Sequence, residues 1–403
     1  MSPADPVPFP KAARAVDNRS PFVRLTELLG DTPPGKEVIN LSVGEPTHAV
    51  PSFVGPVLAA NLASFNKYPP NNGTPRFREA AAQWITRRYK LPRPVDPARE
   101  VLVLAGTREG LFLAAIAARR FVKNRGGRPA ILIPNPFYAV YAAGALGADC
   151  EPVYLPASAE AGFIPDLDAL SDELLSRTVA FYLASPSNPQ GAVAPPDYLR
   201  RLIGLARKHG FMVFADECYS EIYSRTAPVG MLEVAGDDFS NIVIFHSLSK
   251  RSNLAGLRVG FAAGDARFLA DYLNLRAVSA PQIPIPAQEV AVAAYEDETH
   301  VEENRRLYAA KFDLADQIIG DRYGYKRPAG GFFLWLDVSA HGSDEDVTLR
   351  LWREAGVRVV PGSYLARVGA DGSNPGDGFL RVAMVQDAAT TAEALHRIVD
   401  LLG

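Results

Sequence analysis

In the stretch HSLSKRSNLAGLRVG (His246–Gly260), two serines and a lysine stand where an apolar run, NIVIFH, ends, and an arginine follows eight residues after the lysine. A lone Lys–Arg pair in such a place is ordinarily a solvated turn. Here Lys250 offers an amine that can form an imine with a cofactor aldehyde, provided that desolvation or nearby cations lower its pKa. Ser247, Ser249 and Arg258 offer the charge-assisted hydrogen bonds that a dianionic phosphate requires. Asp216 closes another apolar run, FMVFAD, where an acid is costly unless it faces something cationic. A protonated pyridine nitrogen would suit it, and Tyr219, three residues on, could then reach the adjacent ring oxygen. The competing reading of Asp216 is a helix N-cap.

Other candidates are individually weaker. Gly106 and Thr107 follow the run VLVLA and open a helical stretch, TREGLFLAAIAARRF. Free N–H groups and the helix dipole make such a turn a phosphate site, although a plain tight turn reads the same way. PNPFYAVY places Tyr138 and Tyr141 at a strand mouth. Tyr138 could stack on a planar ring or be a core tyrosine with a satisfied hydroxyl. Asn188, in SPSNPQG, could donate to a phenolate oxygen, while Asn-Pro alone is a turn signal.

Positioning these groups requires a sheet. Seven apolar runs begin near residues 101, 130, 151, 178, 211, 241 and 258, separated by helical stretches such as PPDYLRRLIGLARKHG with Pro near its start and Gly at its end. That alternation predicts a mostly parallel sheet between helices, with ligands beyond the carboxyl ends of the strands. From about residue 285 the pattern changes to two helices, a strand GGFFLWLDV, a helix, VRVVPG, FLRVAMV and a closing helix, which predicts a smaller α+β domain. The expected organisation is an N-terminal arm contributing to the small domain (1–45), a large domain (46–285) and the small domain (286–403). The Pro-rich first 30 residues read as an extended arm.

Bulk properties exclude several classes. The 403 residues carry a formal net charge of −3 and no long basic block, which argues against nucleic-acid and anionic-membrane binding. No apolar run approaches a membrane span, and the N-terminus lacks the core of a secretory signal; two cysteines far apart, without metal-type spacing, make a reduced cytoplasm the expected location. The two cysteines, Cys150 and Cys218, read as buried apolar filler. The six histidines show no metal-type spacing. Residues 1–40 are too short and Pro-rich for the DNA-binding segment of a ligand-sensing regulator, which makes that class remote.

The motifs AGTREG, PNPFYAVY, SPSNPQG, DECY, SLSK with Arg258, and FLRVAMV resemble the class I/II aminotransferases, pyridoxal 5'-phosphate enzymes of fold type I, across essentially the whole chain. The resemblance implies that Lys250 forms the imine and shuttles the substrate proton, and that Asp216 keeps the ring nitrogen protonated. It implies that Asn188 and Tyr219 contact the phenolic oxygen and that Tyr138 stacks on the ring. The phosphate would be lined by Gly106, Thr107, Arg108, Ser247, Ser249 and Arg258. Arg381 matches the arginine that grips the substrate α-carboxylate, and Gly44 a glycine beside it. Tyr68 matches a tyrosine that reaches the neighbouring subunit's phosphate, which implies a homodimer with shared sites. Within the family, LSVGEPTHAVPSFV, SLSKRSN, DECYSEIY and HVEENRRLYAAKFD are similar to succinyldiaminopimelate aminotransferases of bacterial lysine synthesis. NPQG in place of NPTG, and NLAGLRVG, depart from that pattern. Glutamate is the expected amino donor, and Arg276 is the expected second anion site. Aromatic, alanine or aspartate-type aminotransferases and a carbon–sulfur lyase share the cofactor residues and remain alternatives.

Overall fold

The computed structural model describes residues 19–123, 126–369 and 371–403. Its centre is a seven-stranded sheet. From one edge the strands are Val101–Leu104, Gly260–Gly264, Ile242–Ser247, Met212–Asp216, Thr178–Ala184, Ala130–Asn135 and Glu151–Pro156. All pairings are parallel except those of Gly260–Gly264, which runs antiparallel to both neighbours. The inner strands are buried throughout because helices cover both faces, which is why they read as unbroken apolar runs rather than alternating ones.

The helices follow from spacing and caps. Pro196–His209 places Leu199, Leu202, Ile203 and Ala206 on one face, and all four are buried. Gly210 then ends it in the left-handed conformation, with Arg207, Lys208 and His209 near the negative end of the dipole. Truncating Leu202 to Ala would cost about 3 kcal/mol.

A three-stranded antiparallel sheet (Val360–Pro361, Phe379–Ala383, Phe333–Asp337) packs with helices Thr299–Ile318, Asp344–Ala355 and Ala388–Leu402 around a second core. Ile39–Asn40 pairs in parallel with Val357–Arg358, so the segment after the arm belongs to this core.

Two expectations change. Helix Ile285–Glu296 buries Val290, Ala291, Val292 and Ala294 in the core of the large sheet, so the packing break falls after residue 296 rather than at 285. Residues 21–29 are a helix, not an extended arm, and residues 1–18 lie outside the described part. Ser20 caps that helix, Pro21 starts it, and Leu25 and Leu29, one turn apart, anchor it.

Candidate active site

Asp216 ends its strand with the carboxylate buried. Its Oδ2 accepts from the Tyr141 hydroxyl at 2.8 Å and its Oδ1 from the Cys218 N–H at 3.3 Å. Burial pushes this carboxyl up, and the bonds from Cys218 and Tyr141 oppose that. No cation stands within ion-pair distance among the described residues, so a charged Asp216 has a place for one. The side chain is therefore not a simple N-cap. Tyr141 was placed at the strand mouth without a role. Its ring stacks on Tyr182 at 4.5 Å, which aims the hydroxyl at Asp216. Cys218 corrects the expectation of apolar filler: its Sγ lies 3.2 Å from Thr107 Oγ1 at the start of helix Thr107–Phe121. Cys150 is buried as expected.

Lys250 sits on the short helix Leu248–Arg251 that follows the strand ending at Ser247. Its Nζ donates to the carbonyl oxygen of Gly44. Burial pulls the ammonium down to about 8, and the cations of Arg381 and Arg258 act in the same direction. An amine in that range is available as nucleophile and base near neutral pH. Ser247 Oγ and Ser249 Oγ lie 2.8 Å apart, and the Ser249 N–H donates to Ser247 Oγ. Arg258 adopts a left-handed backbone (φ 59°). Its guanidinium donates to the carbonyls of Ala255 (2.8 Å) and Ala105 (3.2 Å) and lies over Gly106. A Cβ at position 106 would stand 2.2 Å from Nη2 of Arg258, so only glycine leaves this cradle open. The first turn of helix Thr107–Phe121 presents its free N–H groups beside that guanidinium. Arg108 is exposed, and its Nε donates to the Tyr138 hydroxyl at 2.8 Å.

Arg381 is 4% exposed. It donates to Asn188 Oδ1 at 3.1 Å and to the Ser42 carbonyl at 2.7 Å, and its guanidinium lies 4.5 Å from the Phe333 ring centroid. Burial lowers it to about 10, still a cation at neutral pH. Among the described residues no carboxylate pairs with it. Tyr219, packed edge-on against Phe332 and Phe333, has its phenol pushed well up by burial while Arg381 opposes this. The structure thus shows two hydrogen-bonded sets, Lys250 with Gly44 and Arg381 with Asn188 and Ser42, and Arg381 acts on Lys250 electrostatically. Asp216, Thr107 and Cys218 form a further set, linked to Lys250 and Tyr219 electrostatically.

Two predicted residues lie elsewhere. Tyr68 is 93% exposed, on a loop held by Gln282, which donates to Pro69 O and Asn71 Oδ1. Arg276 is buried, bonded to Glu109 and to the Val103 carbonyl at 3.2 Å. Its charge is matched internally, which speaks against its expected use as a second anion site.

The donor set fits pyridoxal phosphate: a desolvated amine, a buried carboxylate lacking a cation, and a glycine-floored seat with a guanidinium and two hydroxyls. Among the described residues no group of three or more His, Cys, Asp or Glu could hold a metal, and no helix is long and apolar enough to cross a membrane.

The sequence profile described as aminotransferase class I and II matches residues 36–399. LL-diaminopimelate aminotransferase of Syntrophobacter fumaroxidans is 32% identical, covering 91% of this chain and 92% of that protein. The protein of the same name from Desulforudis audaxviator is 31% identical over 97% and 98%. A crystal structure of an aminotransferase from Neisseria meningitidis superposes with a TM-score of 0.89 at 38% identity, covering 96% of this chain and 98% of that one. A probable N-succinyldiaminopimelate aminotransferase from Thermus thermophilus superposes with a TM-score of 0.83 at 27% identity, over 95% and 100%. With that breadth of match on top of the site's chemistry, the chain belongs to the class I and II aminotransferases, enzymes that depend on pyridoxal phosphate.

Proposed function

We propose that the enzyme moves an amino group between N-succinyl-L,L-2,6-diaminopimelate and 2-oxoglutarate, with glutamate and the succinylated 2-amino-6-oxo acid as the other pair, in lysine biosynthesis. The observation that carries the reading is the pairing of Lys250 with Arg381: a desolvated amine beside a buried guanidinium that lacks a carboxylate. Bound pyridoxal phosphate supplies the electron sink for charge developing at the substrate α-carbon. Arg381 binds the α-carboxylate with the backbone of Gly44 beside it, a bidentate task that suits guanidinium. Lys250 Nζ would take the proton from the substrate α-carbon and pass it to the cofactor, and the reverse in the second half-reaction. Asp216, oriented by Tyr141, holds the pyridine nitrogen protonated, while Asn188 and Tyr219 serve the phenolic oxygen and Tyr138 the ring face. Gly106, Thr107, Arg108, Ser247, Ser249 and Arg258 hold the phosphate. Tyr68 serves the phosphate of a second copy, and its exposure beside Phe65 and Leu62, both 59% exposed, supports a homodimer. Sedimentation that returned only monomer at active concentrations would remove that assignment.

Free LL-diaminopimelate is the second reading for the substrate, favoured by the names of the relatives above 30% identity. Half-reactions separate the two. The cofactor's absorbance change is followed with glutamate, and each candidate oxo acid is then added. Recovery with the succinylated acid but not the free one is expected; the opposite pattern assigns the second reading.

A further inference from the structure

The loop from Gly44 to His48 touches Lys250 twice. One contact is the amine's bond to the Gly44 carbonyl. The other is a chain of polar groups outside the site described above, running from the buried Lys311 through the half-buried His48 to the buried Asn304. Lys311, 2% exposed on helix Thr299–Ile318, approaches His48 Nε2 at 2.8 Å and donates to the Met384 carbonyl at 3.0 Å. His48 Nδ1 lies 2.7 Å from Asn304 Oδ1, and Asn304 Nδ2 lies 3.1 Å from the Lys250 carbonyl and 3.4 Å from that of Arg251. Asn304 is 3% exposed.

The chemistry of the donors orders the protons in the chain. Burial lowers Lys311 to about 8, so at pH 7 it is an ammonium, which only donates; His48 Nε2 then accepts and the imidazole is neutral. Its proton then sits on Nδ1 and points at Asn304 Oδ1. That leaves the Asn304 NH2 group facing the two carbonyls, which only accept. The two ties differ in permanence. The bond to Gly44 uses the amine and is lost whenever that amine is engaged in the reaction; the tie through Asn304 uses the backbone and survives. Thr47 adds a bond to the Val385 carbonyl, which anchors the same loop to the small domain.

We propose that His48 is a positioning residue for transamination: neutral and protonated on Nδ1, it keeps the Gly44–His48 loop in register with the Lys250 peptide through Asn304 throughout turnover, and Lys311 enforces that tautomer. The proposal rests on the reading of Lys250 as the proton-transfer group. Charged and titratable groups facing His48 come from one helix, as Lys311, Glu303 and Tyr308; Asp387, at the start of the last helix, faces Lys311. An imidazole ordinarily protonates near 6.5, and burial together with Lys311 holds His48 below that. The network is therefore intact at neutral pH and is lost as pH falls through the lowered value.

The test has a structural arm and a kinetic arm. In nitrogen-15-labelled holoenzyme at pH 7, one histidine should show a protonated Nδ1 and an unprotonated Nε2, and that signal should vanish in His48→Asn. An Nε2–H tautomer or an imidazolium at that position overturns the proposal. In the holoenzyme, His48→Asn keeps an amide donor near the Nδ1 position and should retain kcat within about threefold. His48→Gln keeps only an acceptor near Nε2 and should lose about tenfold. Asn304→Asp, which turns an oxygen toward the Lys250 carbonyl, should lose as much; it replaces His48→Gln if that variant does not fold. Equal rates in the Asn and Gln variants overturn the proposal. Lys250→Ala is assayed alongside. Full activity there would remove the reading of Lys250, whereas collapse there with equal His48 variants would remove the positioning role alone.

Discussion

Arg276, in the last turn of helix Ala266–Ser279, and Arg381, in the middle of strand Phe379–Ala383, are both buried, and both reach a backbone carbonyl. Arg276 also reaches a carboxylate, Glu109, as the equally buried Arg251 reaches Glu298. Arg381 reaches the neutral oxygens of Asn188 and Ser42 and the rings of Phe333 and Phe22, with no carboxylate beside it among the described residues. Burying a charge without its counterion is expensive, and a fold tolerates it where a ligand completes the pair. The first arginine is matched by a carboxylate within the fold; the second is left without one, as the α-carboxylate role proposed for it requires.

Substitutions should split along that line. Arg381→Leu should lower kcat/KM about a thousandfold, because the substrate carboxylate enters a dry pocket without its cation. The unfolding midpoint should hold or rise, since an uncompensated charge is gone. Steady-state kinetics beside denaturant unfolding checks both; a large stability loss with intact kinetics would reverse the comparison. Arg276→Met should do the opposite, costing about 3 kcal/mol of stability by stranding Glu109 while changing kcat/KM little. Adding Glu109→Leu should restore most of that loss, and failure to do so would mean the pair is not the source of the cost. The smallest effect concerns Lys250. Capture of cofactor by the apoprotein needs the neutral amine, so its rate should rise with pH through about 8. In Arg381→Leu that midpoint should move up by less than about one unit, because a repelling cation has been removed. In Arg276→Met it should stay.

Much of this arrangement was readable from composition and spacing. The seven runs are strands because strands covered on both faces must be apolar throughout, and the polar residues that break each run mark its carboxyl end. Asp216 and Lys250 stand out for that reason, whereas Arg258 stands ahead of the antiparallel strand Gly260–Gly264 and is placed by its spacing from Lys250. Arg276 did not, because one arginine in a helical pattern carries no sign of whether it faces water; its partner lies 167 residues away. The Tyr141–Asp216 bond spans 75 residues and left no local trace. His48 likewise sits in a loop with nothing in its neighbourhood to announce Asn304 or Lys311. The short first helix did leave a signal, Ser20–Pro21 ahead of leucines one turn apart, which the surrounding prolines masked. The break after residue 296 was hidden because helix Ile285–Glu296 is apolar nearly all round, and such a helix does not reveal which core it joins.

The guanidinium of Arg258 occupies the space a side chain at position 106 would need. Adding a single methyl group there would displace the arginine before any incoming molecule was touched. Anyone re-engineering this scaffold for a ligand without a terminal anion could thus disable the whole anchoring corner with Gly106→Ala, whereas substituting either serine removes only one hydroxyl.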